Sequence, residues 1–279
     1  MRAPKHVLSV SSGLGSAFAW KVLCDRHGPE NVIGVFADVN GEHPDNYRFL
    51  AEVTYLLGSR LVKLSNDGKT IWDVMIETRF LANSRVDPCS RILKREVLNA
   101  WMDANCDPAI HIQHVGIDWT EIHRFERLRD RRALDGWKVE APLCEPPYRA
   151  KAEAQAWLDS VGIARPKLYD MGFAHANCGG GCVKAGIGQF KLLLRADRNW
   201  YVKWWEAGEE RVRQALGRDD IAILTDRRFG GRRPMTLREL RETMEEQPDL
   251  VFDTEKDEKG CGVCFVGDDP DPSLLERMA

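Results

Sequence analysis

Two short apolar runs, His6–Ser11 and Val32–Asp38, flank a stretch through Trp20 that reads as a helix. Neither run alternates with polar residues. After its leading Asn31, "NVIGVFA" is apolar throughout, as expected of strands covered on both faces rather than on one. The pattern continues with a helix from about Asp45, a strand at Arg60–Leu64, helices near Ile71 and Leu93, and a strand at Ile110–Val115. Strand and helix in alternation predict an α/β fold, a mainly parallel sheet with helices on both faces. Ligands of such sheets bind at the carboxyl ends of the strands, where Ser11–Ser16, Asp38 and Gly116–Asp118 all fall.

The texture changes after Pro142. "YRAKAEAQAWLDSVG" reads as a helix ended by Gly162, and a cysteine-glycine loop follows at Cys178–Cys182. A long amphipathic stretch runs from Phe190 to about Leu216, then come a helix at Thr236–Glu246 and an acidic tail interrupted by "KGCGVCF". This divides the chain into an α/β domain over 1–165 and a helical, cysteine-containing region over 166–279 packed on it. Trp200, Trp204 and Trp205 recur at helical spacing, which marks core positions before it marks a platform for stacking bases.

Composition narrows the function classes. A hydrophobic content of 43% in 279 residues supports a sizeable core. A net charge of -3 with mixed signs gives no global field for a nucleic-acid duplex, so any such contact is a local patch. Two arginine groups are candidates. Arg124, Arg127, Arg129, Arg131 and Arg132 are interspersed with Glu121, Glu126 and Asp130 and read as a salt-bridged helix. Arg227, Arg228, Arg232 and Arg233, in a Gly-rich loop, are the better place for a polyanion such as a tRNA or DNA segment. The N-terminus lacks the apolar run of a signal peptide, and no stretch is long enough to span a bilayer, so the expectation is a cytoplasmic protein without membrane contact. The eight cysteines are then expected as thiols or metal ligands rather than as a disulfide framework.

The candidate chemistry lies in two places. "SVSSGLGSA", Ser9–Ala17, joins a strand to a helix through glycine and serine, which offers backbone N–H groups, a helix N-terminus and hydroxyls to an anion. It also has the composition of any tight turn. The cysteines give the sharper pattern. Cys178-x3-Cys182 and Cys261-x2-Cys264, both flanked by glycine, have the form of two half-sites around one metal such as zinc. Cys24, Cys106 and Cys144 read as buried structural thiols.

Five segments, in order, resemble the PP-loop ATP pyrophosphatase superfamily, specifically its phosphoadenosine phosphosulfate (PAPS) reductase-like branch. They are Ser11-Ser12-Gly13-Leu14-Gly15-Ser16, "FADVNGEHPDNYRFL" at 36–50, "CSRILK" at 89–94, "GIDWTEIHR" at 116–124 and "LYDMGFAHANCGGGC" at 168–182. The resemblance implies an adenine nucleotide alpha hydrolase-like fold that binds an adenylyl nucleotide, ATP or adenylyl sulfate. Ser11, Ser12, Gly13, Gly15 and Ser16 would take the phosphates or sulfate, and Gly116 and Asp118 would line the same site. Lys94 and Arg124 would neutralise negative charge, while Asp38 with Glu42 would meet the ribose or a magnesium ion.

By the same resemblance, Cys89, Cys178 and Cys182 would be ligands of a [4Fe–4S] cluster completed from the tail by Cys264, as the alternative to zinc. Cys261 would be a nucleophile toward a sulfonyl group, re-reduced by a thiol electron donor. Two positions depart from the family pattern. Gly15 stands where ATP-cleaving members have Asp, and the first cysteine segment has one Cys where iron-sulfur reductases carry a pair. The expected function is reduction or sulfur transfer on an adenylyl nucleotide beside a cysteine-bound metal. The alternatives are ATP-dependent adenylylation or thiolation of a nucleic-acid base, and a non-catalytic nucleotide-binding module with structural zinc.

Overall fold

Apolar side chains on both faces of the central strands decide the architecture. β1 (His6–Val10), β2 (Val32–Asp38), β3 (Arg60–Ser65), β4 (Ile112–Val115) and β5 (Val139–Glu140) form one sheet in the order β3-β2-β1-β4-β5, and every pairing in it is parallel. The structure is a computed structural model and describes residues 5–82, 87–149, 151–228, 231–250 and 252. Helices α1 (Leu14–His27), α2 (Pro44–Leu57) and α3 (Ile71–Glu77) follow the first three strands. The short α4 (Pro88–Ser90) runs through a π-helical turn at Arg91–Arg95 into α5 (Glu96–Asn105), and α6 (Ile122–Leu134) and α7 (Lys151–Val161) come after β4 and β5.

The period of two along the strands sorts the core. Leu8, Val10, Val32 and Phe36 pack with Phe18 and Trp20 of α1, Phe49 and Val53 of α2, and Leu158 of α7. Val7, Ile33 and Val35 face the other way, onto Leu98 and Met102 of α5 and Leu128 of α6. The fold is therefore α/β, with helices on both faces of a parallel sheet. Trp20 shows how closely α1 lies on it. A Cβ on Gly34 would stand 2.7 Å from the indole, whose N–H donates to Ser59 Oγ at 3.0 Å.

A second core follows from the remaining elements, α8 (Lys167–Asp170), α9 (Ile187–Ala196), α10 (Arg198–Trp200), α11 (Ala207–Leu216), the hairpin β6 (Leu224–Asp226) and β7 (Arg233–Met235), and α12 (Leu237–Glu246). These elements bury Phe190, Tyr201, Trp205 and Leu240 together with Trp72 and Met75 of α3. At the crossing of α3 and α11 a Cβ on Gly208 would stand 2.0 Å from Trp72, so only glycine lets the two helices meet there. The amphipathic stretch from Phe190 to Leu216 is not one helix. Asp197 breaks it with φ −147° and ψ 80°, and its carboxylate accepts the Trp200 N–H at 2.8 Å. Trp205 is fully buried, and Trp200 and Trp204 stack on each other at 5.3 Å. Among the described residues no helix is long and apolar enough to cross a membrane.

One buried carboxylate pins this second core. Glu209 of α11, 2% exposed, accepts the Ile223 N–H at 2.8 Å with one oxygen and the Leu237 N–H at 2.6 Å with the other. Burial pushes its carboxyl up to about 7 from an ordinary 4.5, against the pull of those two N–H groups. The folded state thus holds the proton more tightly than the unfolded chain, so this contribution to stability is full at low pH and is lost as pH rises from about 4.5 through about 7. Glu209→Gln keeps one acceptor oxygen and loses the other; it should cost ~1–3 kcal/mol. It should also flatten the fall in urea midpoint between about pH 5 and about pH 8, the comparison that isolates the carboxyl.

Candidate functional site

The strand order reverses between β1 and β4, and a crevice opens where their two carboxyl-end loops part. A cavity of about 140 Å³ lies there, lined from β1 and α1 by Ser9, Ser11 and Gly13–Ser16, from the β4 side by Val115–Asp118, Glu121 and Arg124, and from a third segment by Tyr169 and Ala174–Asn177. Gly13 caps α1 in an extended conformation without a side-chain hydrogen bond, and the first turn carries no acidic residue. The Leu14 N–H donates to the Tyr169 hydroxyl at 3.2 Å. Gly15 and Ser16 follow as first-turn residues whose N–H groups have no acceptor within the helix. The positive end of α1 therefore faces the cavity. Ser16 Oγ accepts the Ser11 N–H at 2.9 Å, which closes the loop into a ring.

Two glycines set the width of the crevice. A Cβ on Gly116 would stand 2.6 Å from Ser16 Cα, and one on Gly15 would stand 3.3 Å from the Gly116 carbonyl oxygen. The two loops touch backbone to backbone. An Asp at position 15, as in the family pattern, would have to begin inside that tight contact. On the far wall Asp118 caps the turn Trp119–Glu121, accepting the Thr120 N–H at 2.9 Å. Arg124 pairs with Glu121, and its side chain is 11% exposed. The cavity thus combines helix-end N–H groups, serine hydroxyls and one guanidinium with two carboxylates, a polar set suited to a ligand with both an anionic end and hydroxyl or N–H donors.

Of the residues expected from the sequence, Ser11, Gly13, Gly15, Ser16, Gly116, Asp118 and Arg124 line this one cavity. Ser12 is buried with its hydroxyl turned inward and does not line it. Asp38 is held elsewhere. It accepts the Asn40 N–H and the Tyr47 hydroxyl, each at 2.8 Å, and pairs with Lys63 at 2.8 Å. Lys94 also lies outside, buried 3.8 Å from Glu42. Tyr169 and the 174–177 segment were singled out only as part of a longer motif. The tyrosine that ties the third wall to α1 is a contact between residues 155 apart in sequence, so no local pattern could announce it.

Lys94 lines a second, smaller cavity of about 20 Å³ with Asp87, Cys89, Cys178, Cys182 and Trp205. The three cysteines predicted as ligands are therefore neighbours in space. Cys178 sits at φ 52° and Gly179 and Gly180 follow at 63° and 83°, a left-handed run that turns the loop sharply. Trp200 Nε1 donates to the Gly179 carbonyl at 3.0 Å and Gln189 Nε2 to that of Gly180 at 2.8 Å. The space is about that of one water molecule. Among the described residues no three His, Cys, Asp or Glu side chains are grouped to hold a metal ion. Cys261 and Cys264 lie outside the described residues. Cys24 and Cys144 are different: burial pushes both thiols up to about 11, and Cys106 is raised for the same reason.

No protein-family model matches the chain, and no curated protein matches it by sequence. Among solved structures it is similar to a phosphoadenylyl-sulfate (PAPS) reductase from Candida auris, in a phosphate complex, at 14% identity and a TM-score of 0.45, covering 61% of this chain and 79% of that one. It is also similar to an NH3-dependent NAD synthetase from Campylobacter jejuni subsp. jejuni NCTC 11168, in complex with the nitrate ion, at 13% identity and a TM-score of 0.38, covering 78% and 86%. At these identities neither assigns a role to any residue.

The backbone contact at the crevice is testable by itself. Gly116→Ala has to displace main chain rather than a flexible side chain and should cost ~1–3 kcal/mol, whereas Gly13→Ala should cost less, up to about 1 kcal/mol for an alanine at the helix N-cap. At Gly13 a Cβ would meet nothing closer than 3.4 Å, and φ is −93°. Thermal unfolding of the two variants side by side checks this, and an equal loss in both would contradict it.

Proposed function

We propose that this chain is a PP-loop-type enzyme that binds an adenylyl nucleotide, ATP or adenylyl sulfate, with the phosphate or sulfate end at the Ser11–Ser16 loop. The observation that carries the reading is the meeting of that loop, the uncapped end of α1 and Arg124 around one cavity at the sheet's point of reversal. The Gly15, Ser16 and Ser11 donors would hold the anionic end, while Arg124 takes charge that grows on a departing phosphate or sulfate oxygen. The carboxylates of Asp118 and Glu121 stand on the opposite wall, where they would accept hydrogen bonds from ribose hydroxyls or the base.

The chemistry we infer is sulfur-related, because the wall of the nucleotide cavity runs directly into the thiols. Asn177 lines the first cavity and Cys178, the next residue, the second. Cys89, Cys178 and Cys182, with Lys94 beside them, would bring thiol groups and a cation to that boundary.

Calorimetric titration with ATP and with adenosine 5′-phosphosulfate, followed by assays for sulfite and for AMP with pyrophosphate, tests both levels. Binding of at least one ligand is expected, and Arg124→Ala should weaken it by about tenfold or more, the value of one lost charge-assisted contact. Binding of neither would overturn the nucleotide reading. Binding without sulfite release, and with pyrophosphate only when an acceptor is supplied, would favour base adenylylation over reduction.

A further inference from the structure

A second open groove is larger than the nucleotide cavity. It lies in the second core, has a volume of about 430 Å³, and runs between the turn after α3, the loop after α11 and the β6–β7 hairpin. Four arginines line it, Arg79, Arg218, Arg227 and Arg232, all exposed, with Phe80, Ile221, Leu224 and Pro234 between them. Arg218 is paired with Asp220 at 2.6 Å, the one carboxylate in the lining. Among the described residues Arg79, Arg227 and Arg232 have no ion-pair partner.

Many other exposed guanidiniums of this chain have carboxylates at hand, as in Arg198 with Glu245, Arg211 with Asp73 and Arg238 with Glu206. The hairpin itself makes the contrast within a few residues. Arg228 and Arg233 both turn onto the buried Asp226, at 2.9 and 3.4 Å, whereas their neighbours Arg227 and Arg232 turn to the groove. Three uncompensated positive charges from separate segments, converging on one groove in a protein of net charge -3, describe a local anion site.

We propose that this groove binds single-stranded nucleic acid. The groove is open and is lined by arginines from the turn after α3, the loop after α11 and the hairpin, which suits a ligand carrying several phosphates. Phe80, half-buried among them, offers a face on which a base can stack, and Ile221 and Pro234 extend that apolar floor. A single strand is preferred to a duplex because only unpaired bases can stack on Phe80. The inference stands on the groove alone and is independent of what the nucleotide cavity binds.

The test is fluorescence anisotropy of the full chain with a 5′-labelled mixed-sequence single-stranded 12-mer, as RNA and as DNA, titrated at several salt concentrations. Micromolar binding that weakens with salt is expected. The triple variant Arg79→Ala, Arg227→Ala, Arg232→Ala should weaken it about tenfold or more and reduce the salt slope by about 2, three phosphate contacts at ~0.7 each. Phe80→Leu should weaken binding several-fold with the slope unchanged, which separates stacking from charge. Arg198→Ala is the control and should change nothing. The proposal is overturned if the oligonucleotide does not bind at low salt, or if the triple variant binds as the parent does. It is overturned equally if inorganic tripolyphosphate binds through the three arginines while the 12-mer does not, since the groove would then serve a compact polyanion. Loss of oligonucleotide binding in Arg124→Ala with the triple variant unaffected would place the strand in the nucleotide cavity and also refute it.

Discussion

The contact between Ser16 and Gly116 holds the candidate site together. Parallel strands whose order reverses send their carboxyl-end loops apart, and the crevice left between them would be wide and wet if nothing drew it closed. Here the first turn of α1 leans on the turn after β4 at a distance that excludes a Cβ. The close approach brings the helix N-terminus within reach of the Asp118 and Arg124 wall, so a ligand entering the cavity meets both at once. Ser16 serves this arrangement twice, through its backbone at the contact and through its hydroxyl on the Ser11 N–H.

The third wall is held by longer polar connections. The Tyr169 hydroxyl receives the Leu14 N–H, and burial raises its phenol above the ordinary range, so it remains a neutral partner to α1. Asn46 donates to the Ala176 carbonyl and to Glu42 Oε2 at 3.1 Å, and the other oxygen of Glu42 faces Lys94 at 3.8 Å. A continuous buried line therefore runs from the ammonium beside the cysteines to the backbone of the first cavity's wall. Burying a carboxylate and an ammonium costs several kcal/mol each in desolvation, which such a pair repays incompletely. An apolar pair would stabilise the core as well, so the charges are better explained by the two cavities they join than by stability.

The elements that were legible in the sequence are those whose periodicity is fixed by burial on both faces. β1, β2 and β3, and the helices after them, fall within a few residues of the apolar runs that predicted them. β5, at two residues, and the β6–β7 hairpin, at three per strand, are too short for any period to show. Within the cavity, Ser11, Gly13, Gly116 and Asp118 sit where the chain leaves a strand, so topology brings them near one another. Asp38 also ends a strand, but β2 lies one strand away from the reversal, and there its carboxylate is drawn to Lys63 on β3 and to Tyr47 on α2. Ser12 is buried between two loop residues that line the cavity and does not itself line it.

The sequence marks the second arginine group as a polyanion candidate but not which of its members face the groove. Arg227, Arg228, Arg232 and Arg233 look equivalent as letters, and their sum suggests a patch of four charges. Around the hairpin, however, neighbouring arginines part ways. One of each pair is consumed by Asp226, which two guanidiniums hold well below the usual carboxylate range, at about 2. The other of each pair is left outward, and the turn after α3 adds Arg79, in a left-handed conformation at φ 53°, from a segment nearly 150 residues away. The positive groove is thus a product of tertiary structure. It joins Arg227 and Arg232, which the sequence marks as a polyanion candidate, to Arg79, which no local pattern connects with them.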